Sequence, residues 1–181
     1  MCATDIDEFI KARLLVPFGM KSSGYVWNPA WEPRIAMPHD ARGRSLPKGH
    51  PTETDAARYA SSGALHATAA DYARFLIEVI DPKPADAFRL TATSLKRMLT
   101  PVTAVPDDPA RTSWALGWQI FPTGSGEVIA HGGDGTGFHS FAAASVGTRS
   151  GFVVMTNGEN GWRVLRQLGI GGDMSQWLGL S

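Results

Sequence analysis

At 181 residues, the chain has the length of one ordinary domain and can bury a substantial core. An apolar share of 43% and a charged share of 19% exclude a disordered composition. Lys+Arg and Asp+Glu each total 17, which excludes a global basic field, and the cluster Arg42, Arg44 and Lys48 has no interleaved aromatics to suit nucleic acid.

Cys2 is the only cysteine, so no internal disulfide and no cysteine-based zinc site is expected. Met1 to Asp7 lacks a basic stretch followed by an apolar run, so no signal peptide is read there and the compartment stays open. No apolar run approaches about 18 residues, and no membrane span is expected.

The first predicted element is a helix. Ile6, Phe9, Ile10 and Leu14 share one helical face, Asp5 is a candidate N-cap and Pro17 a candidate stop. From Asn28 to about Arg58 the chain carries Pro29, Pro33, Pro38, Pro47 and Pro51 among polar residues, and reads as a long irregular excursion. A second helix follows Thr68, with Asp71 three residues on and an apolar stripe of Tyr72, Phe75, Leu76, Val79 and Ile80, ending at Asp81-Pro82. A short third helix covers Thr93 to Leu99 and stops before Pro101.

After residue 112 the apolar period changes to two. Trp114 to Phe121 alternates, with Leu116, Trp118 and Ile120 on one face, and reads as one strand. Gly124-Ser125-Gly126 is a turn, and Val128-Ile129-Ala130 leads to His131. Phe138 to Val146 and Gly151 to Asn157 form a strand pair around Gly147-Thr148-Arg149-Ser150. Trp162 to Leu168 and Met174 to Leu178 read as helical. The expected fold is α+β, an antiparallel meander of about four strands with flanking helices. Residues 1–111 form a helical and loop region, 112–160 the sheet and 161–181 a helical tail of a single partial domain.

One motif carries chemistry: His131-Gly132-Gly133-Asp134-Gly135, followed by Gly137. Its glycines have neither dinucleotide nor phosphate-loop spacing, and their flanks are strands. A glycine-rich hairpin with an incidental histidine is one reading. The other is an edge strand presenting an imidazole and a backbone N–H to a substrate, as acyl transfer requires.

His131-Gly132-Gly133, with Gly137 and a strand after it, resembles the third motif of the serine β-lactamase-like hydrolases. That family includes class C β-lactamases, penicillin-binding-protein-like D-peptidases and related esterases. Further segments are similar to the family in its own order: Phe9 to Arg13 running into Pro17-Phe18-Gly19-Met20, Arg34 to Asp40, Ser62 to Asp71, Leu116-Gly117-Trp118, and Met155-Thr156-Asn157. The resemblance covers nearly the whole chain but only the C-terminal half of the family domain.

The resemblance implies that His131, Gly132, Gly133 and Asp134 line the substrate site. His131 would assist proton handling, and the Asp134 backbone N–H would form half of an oxyanion hole. Histidine at that place, where β-lactamases often carry lysine, is only partly charged near neutral pH and leans toward esterase or peptidase relatives. The family nucleophile is the serine of S-x-x-K on a helix, with a Y-x-N motif beside it. Ser45-Leu46-Pro47-Lys48 matches the first literally, but Pro47, Gly49 and Pro51, and its place after Met20, argue against that helix. Tyr25 is followed by Val26-Trp27-Asn28, one residue too long for Y-x-N.

The remaining histidines, His39, His50, His66 and His139, show no metal-ligand spacing, and the family implies no metal or cofactor. His66 and His139 read as structural or surface residues. Trp114, Trp118, Trp162 and Trp177 read as core aromatics; Trp27 and Trp31 stay open, because the resemblance implies that the loop after them borders the active site. Three readings stay open: part of a serine hydrolase that is inactive alone, one subunit of a split hydrolase, and a non-enzymatic ligand- or partner-binding module. The implied partners are a small ester, amide or lactam once the N-terminal half completes the site, and a complementing chain or second copy on exposed edges.

Overall fold

A computed structural model describes residues 5–47, 62–124, 126–169, 174 and 178. Cys2, Lys48, His50 and Trp177 lie outside the described residues, as does most of the expected Met174–Leu178 helix. Among the described residues no helix is long and apolar enough to cross a membrane.

Helix α1 spans Ile6–Ile10 and widens into a π-helical turn, Lys11–Leu15. Asp5 precedes it without a side-chain cap bond. Of this segment only Leu15 is buried, and Ile6 and Phe9 are exposed, so the expected apolar stripe does not face a core. Helix α2, Ala69–Ile80, starts as its sequence predicts, with Thr68 Oγ1 accepting from the Asp71 N–H at 3.1 Å. The Asp71 carboxylate does not reach back to close a capping box. It accepts instead from Ser22 N–H (2.7 Å), Ser23 Oγ–H (2.9 Å) and Arg74 Nη1–H (2.5 Å), tying the loop after α1 to α2. Helix α3, Ala92–Leu99, is capped by Thr91, whose Oγ1 accepts from Ser94 N–H.

Six antiparallel strands follow in a simple meander: β1 (Thr103–Ala104), β2 (Ser113–Trp114), β3 (Gln119–Thr123), β4 (Gly126–Gly135), β5 (Phe138–Ser145) and β6 (Ser150–Thr156). The last four are the long ones; β1 and β2 are two-residue additions at one side. Helix α4, Gly161–Gln167, closes the described order.

The segment expected as one strand, Trp114 to Phe121, is a hairpin. Trp114 pairs with Gln119, and the Ala115 N–H donates to the Trp118 carbonyl at 2.7 Å across the turn. Gly117 sits at φ +84°, a left-handed conformation that a side chain disfavours, and it reverses the chain. Alternation therefore breaks: Trp118 and Ile120 are buried while Leu116 is exposed.

Alternation along β4 and β5 gives the sheet two apolar faces. Ile129 and Ala144 join Trp118, Ile120 and the α2 residues Leu76, Val79 and Ile80, with Leu95, Met98 and Leu99 packed against them. Val128, Ala130, Phe141 and Ala143 join Leu165 of α4 with Met174 and Leu178 on the opposite face. The sheet is thus sandwiched between helices on both faces. Burial of each such side chain contributes about 1.5–3 kcal/mol.

The excursion after Asn28 is well organised where it is described. Asn28 caps a 3-10 turn, Pro29–Arg34, by accepting from Ala30 N–H. Asp40 accepts from the N–H groups of Arg42 and Arg44 and from Arg44 Nε, closing a tight loop between Pro38 and Leu46. That loop is pinned to the end of β6: Glu159 N–H donates to His39 C=O, Asn157 Nδ2 to Met37 C=O and Asn160 Nδ2 to Ala41 C=O.

Candidate active-site edge on strand β4

The chemistry-bearing motif lies wholly within β4. The register with β3 ends at Gln119↔Ala130, whereas pairing with β5 runs on to Gly135↔Phe138. From His131 to Gly135 the strand therefore has β5 on one side and, among the described residues, an open edge on the other.

Gly135 and Phe138 close the two-residue turn Thr136-Gly137, and such a closing pair exchanges both backbone hydrogen bonds. Alternation then makes Asp134 and His139 a pair without mutual backbone bonds, and aims the Asp134 N–H at the open edge. The His139 carbonyl correspondingly points toward β6, where it accepts from Thr156 Oγ1 at 3.3 Å. The His131 side chain lies on the Ile129 face of the strand, exposed, with its ring edge-on to Trp114 at 5.7 Å between centroids. Trp114 is 40% exposed and so is part of this edge, not of the core as its sequence suggests. Gly132 and Gly133 bring no side chain to the strand: a Cβ on Gly132 would lie 3.2 Å from the Trp162 ring, and one on Gly133 2.9 Å from Ser140 Oγ.

On the opposite face the Asp134 carboxylate is engaged. Its Oδ1 accepts from His139 Nδ1–H at 2.5 Å and from the Trp162 indole N–H. His139 is 8% exposed, and its Nε2–H donates to the Glu159 carbonyl at 3.0 Å. Both ring nitrogens face acceptors, an arrangement that favours the doubly protonated imidazolium over either neutral tautomer. The hydrogen bond to Asp134 is the main cause that raises the His139 pKa, and the same bond, with that of Trp162, holds the Asp134 carboxyl below its usual range. Glu159 completes the clamp by accepting the Gly137 N–H at 2.9 Å. Gly137, at φ +72°, lies so near Pro38 and His39 that a Cβ would meet Pro38 Cβ at 2.8 Å.

Sequence reasoning placed Asp134 here for its backbone alone, and His139 as a structural or surface residue. The carboxylate–imidazolium pair was nevertheless foreshadowed by spacing: Asp134 and His139 stand symmetrically about the turn Thr136-Gly137 and must share a face. Ser45 is elsewhere. It lies in extended backbone bridged to His39, and its Oγ is 3.3 Å from His39 Nε2, so no helix presents it. Trp27 and Trp31 pack edge to face, and Trp31 stacks on His66. Among the described residues no group of three His, Cys, Asp or Glu side chains is arranged to hold a metal.

The edge of β4 thus combines an exposed imidazole, an outward N–H and two glycines, on an antiparallel sheet with helices on both faces. The chain belongs to the Beta-lactamase family, whose model matches residues 3–168. It is 25% identical over 154 residues to a human (Homo sapiens) protein described as beta-lactamase-like 1, covering 85% of this chain and 29% of that one. The octameric penicillin-binding protein homologue from Pyrococcus abyssi superposes with a TM-score of 0.71 at 22% identity, over 95% of this chain and 39% of that chain. The beta-lactamase/D-alanine carboxypeptidase from Pseudomonas syringae gives 0.69 at 14%, over 90% and 53%. The chain thus spans from about a third to about half the length of these relatives.

Proposed function

We propose that this chain supplies one wall of the acyl-transfer site of a β-lactamase-related serine hydrolase acting on an ester, amide or lactam. The observation that carries this reading is the open edge of β4, where the Asp134 N–H points outward beside the exposed His131. In this role the N–H stabilises the oxyanion that develops on the attacked carbonyl, and the His131 imidazole handles protons around the reacting hydroxyl.

Neither group is a nucleophile that forms an acyl-enzyme, and Ser45 lies in extended backbone, not at the start of the helix on which the family presents its serine. The chain by itself is therefore inactive in this proposal, and the S-x-x-K and Y-x-N groups come from residues outside it.

The test is covalent labelling. The purified chain is exposed to a fluorophosphonate and to a fluorescent penicillin, and assayed with a chromogenic ester. No label and no turnover are expected from the chain alone, with labelling of a serine in any co-purifying complementing chain. Labelled serine on this chain alone overturns the claim of an external nucleophile. Saturable ligand binding without any labelled serine in a complemented preparation favours a binding module instead.

A further inference from the structure

We propose that His139 is a positioning residue for the acyl-transfer edge: as an imidazolium clamped between the Asp134 carboxylate and the Glu159 carbonyl, it fixes the direction of the Asp134 N–H. This rests on the proposed function above and assigns a role to a residue on the face of β4 opposite to His131.

The argument is geometric. Asp134 belongs to two systems at once. Its backbone N–H faces the open edge, while its carboxylate bonds to His139 on β5 and to Trp162 on α4. From His131 to Gly135 the strand lacks a β3 partner, and three of its five residues are glycine, so β5 pairing alone must hold its direction. The added constraint comes from three donors and acceptors on the far face. His139 Nδ1–H and Trp162 Nε1–H hold the carboxylate, and His139 Nε2–H is held by Glu159 C=O. The ring also packs on Trp162, with centroids 5.8 Å apart.

Position 161 shows how closely this is built. A Cβ on Gly161 would overlap Thr156 Oγ1 first and also lie 2.8 Å from His139 Cδ2, so glycine lets α4 start against both the end of β6 and the ring. The charged groups facing the imidazolium are Asp134 from β4 and Glu159 from the turn before α4; both are acidic. Loss of the ring proton at Nδ1 would put a lone pair against a carboxylate, and loss at Nε2 would put one against a carbonyl. Either breaks the clamp. The edge is therefore proton-sensitive from behind, without any change at His131.

Nuclear magnetic resonance on the intact 15N-labelled chain tests this without needing turnover. Long-range 1H–15N spectra of the histidine rings are recorded from pH 5 to 9 with amide exchange measured alongside. The expected result is a His139 ring protonated at both nitrogens at neutral pH. The Trp162 indole N–H and the Asp134 and Gly135 amides should shift with the same midpoint as that ring. Asp134→Asn should lower the midpoint, and His139→Asn should speed exchange of the β5-bonded Gly133 and Gly135 amides by about fivefold. A neutral His139 ring at pH 7, or Asp134 and Gly135 amides indifferent to its titration, overturns the proposal. Should His139→Asn fail to fold, the titration of the unsubstituted chain decides. Failure of the hydrolase reading is separate: it appears in the labelling experiment, where an intact clamp with no labelled serine in the complemented enzyme rejects that reading alone.

Discussion

The two halves of β4 differ more than any two strands of the sheet. Gly126 to Ala130 runs between β3 and β5, and its Val128, Ile129 and Ala130 are buried in cores on both faces. His131 to Gly135 has β5 alone, is rich in glycine and keeps its polar side chains at the surface or in one clamp. Its pairing with β5 does not change. What changes is that β3 starts at Gln119, opposite Ala130, because the chain has just turned at Gly117. Where the neighbour stops, backbone N–H groups become available for chemistry, and apolar side chains are no longer useful. One hairpin turn upstream thus decides which part of β4 is core and which part is site.

The strongest way to break this comparison is to truncate a side chain in each half. Ile129→Ala is expected to cost about 2–5 kcal/mol, since it opens a cavity between the sheet and α2. His131→Ala should stay within about 0.5 kcal/mol of the parent in urea unfolding, because the ring is exposed. Equal losses would contradict the division. Gly137→Ala comes next, at about 1–3 kcal/mol, because it combines a left-handed φ with overlap on the Pro38-His39 backbone. Its signature is proteolytic opening of the 38–46 loop, and an unchanged cleavage pattern would show that the docking is dispensable.

Smaller still is Thr68→Ala, expected to cost about 1 kcal/mol through loss of the α2 cap, with Thr68→Ser recovering most of it in thermal unfolding. The smallest effect sharpens the comparison on the site side. The Asp134–His139 pair is expected to contribute less than about 1 kcal/mol, since the carboxylate side chain is 64% exposed. Its pH window follows from the two shifts. The raised His139 pKa makes that contribution complete below about pH 6.5 and lost as pH rises through the folded-state value. The lowered Asp134 pKa makes it complete above about pH 3.9 and lost as pH falls through the folded-state value. The difference in unfolding free energy between the chain and Asp134→Asn should therefore peak between those limits. A difference that is flat from pH 4 to 9 would mean that the pair carries no charge coupling.

Much of the architecture is legible in the residues. Thr68 and Asp81 bracket α2, the sets Phe138–Val146 and Gly151–Asn157 locate β5 and β6 to within a residue, and His131-Gly132-Gly133 with its companion segments points to the family. These signals are local: a cap, a period of two, a glycine pattern. The hairpin at Ala115–Trp118 was hidden because Trp114, Leu116, Trp118 and Ile120 keep a strand-like alternation through the turn. The order of the Pro38–Leu46 loop was hidden among prolines, although Asp40 followed by Arg42 and Arg44 supplied the side-chain acceptor that closes it. The exposure of Ile6 and Phe9 could not be read at all, because periodicity shows that a face is apolar and never what covers it.

By itself the sequence determined that this is an α+β chain of the Beta-lactamase family. Those properties depend on residue type and near-neighbour spacing, which the covalent chain carries. Only the tertiary structure decided that β3 ends opposite Ala130, and so opens the edge from His131 onward. It alone joined Asp134 to His139, Trp162 and the Glu159 turn. Those are contacts between segments up to 28 residues apart, and their geometry exists only once the strands have paired and α4 has docked on the sheet.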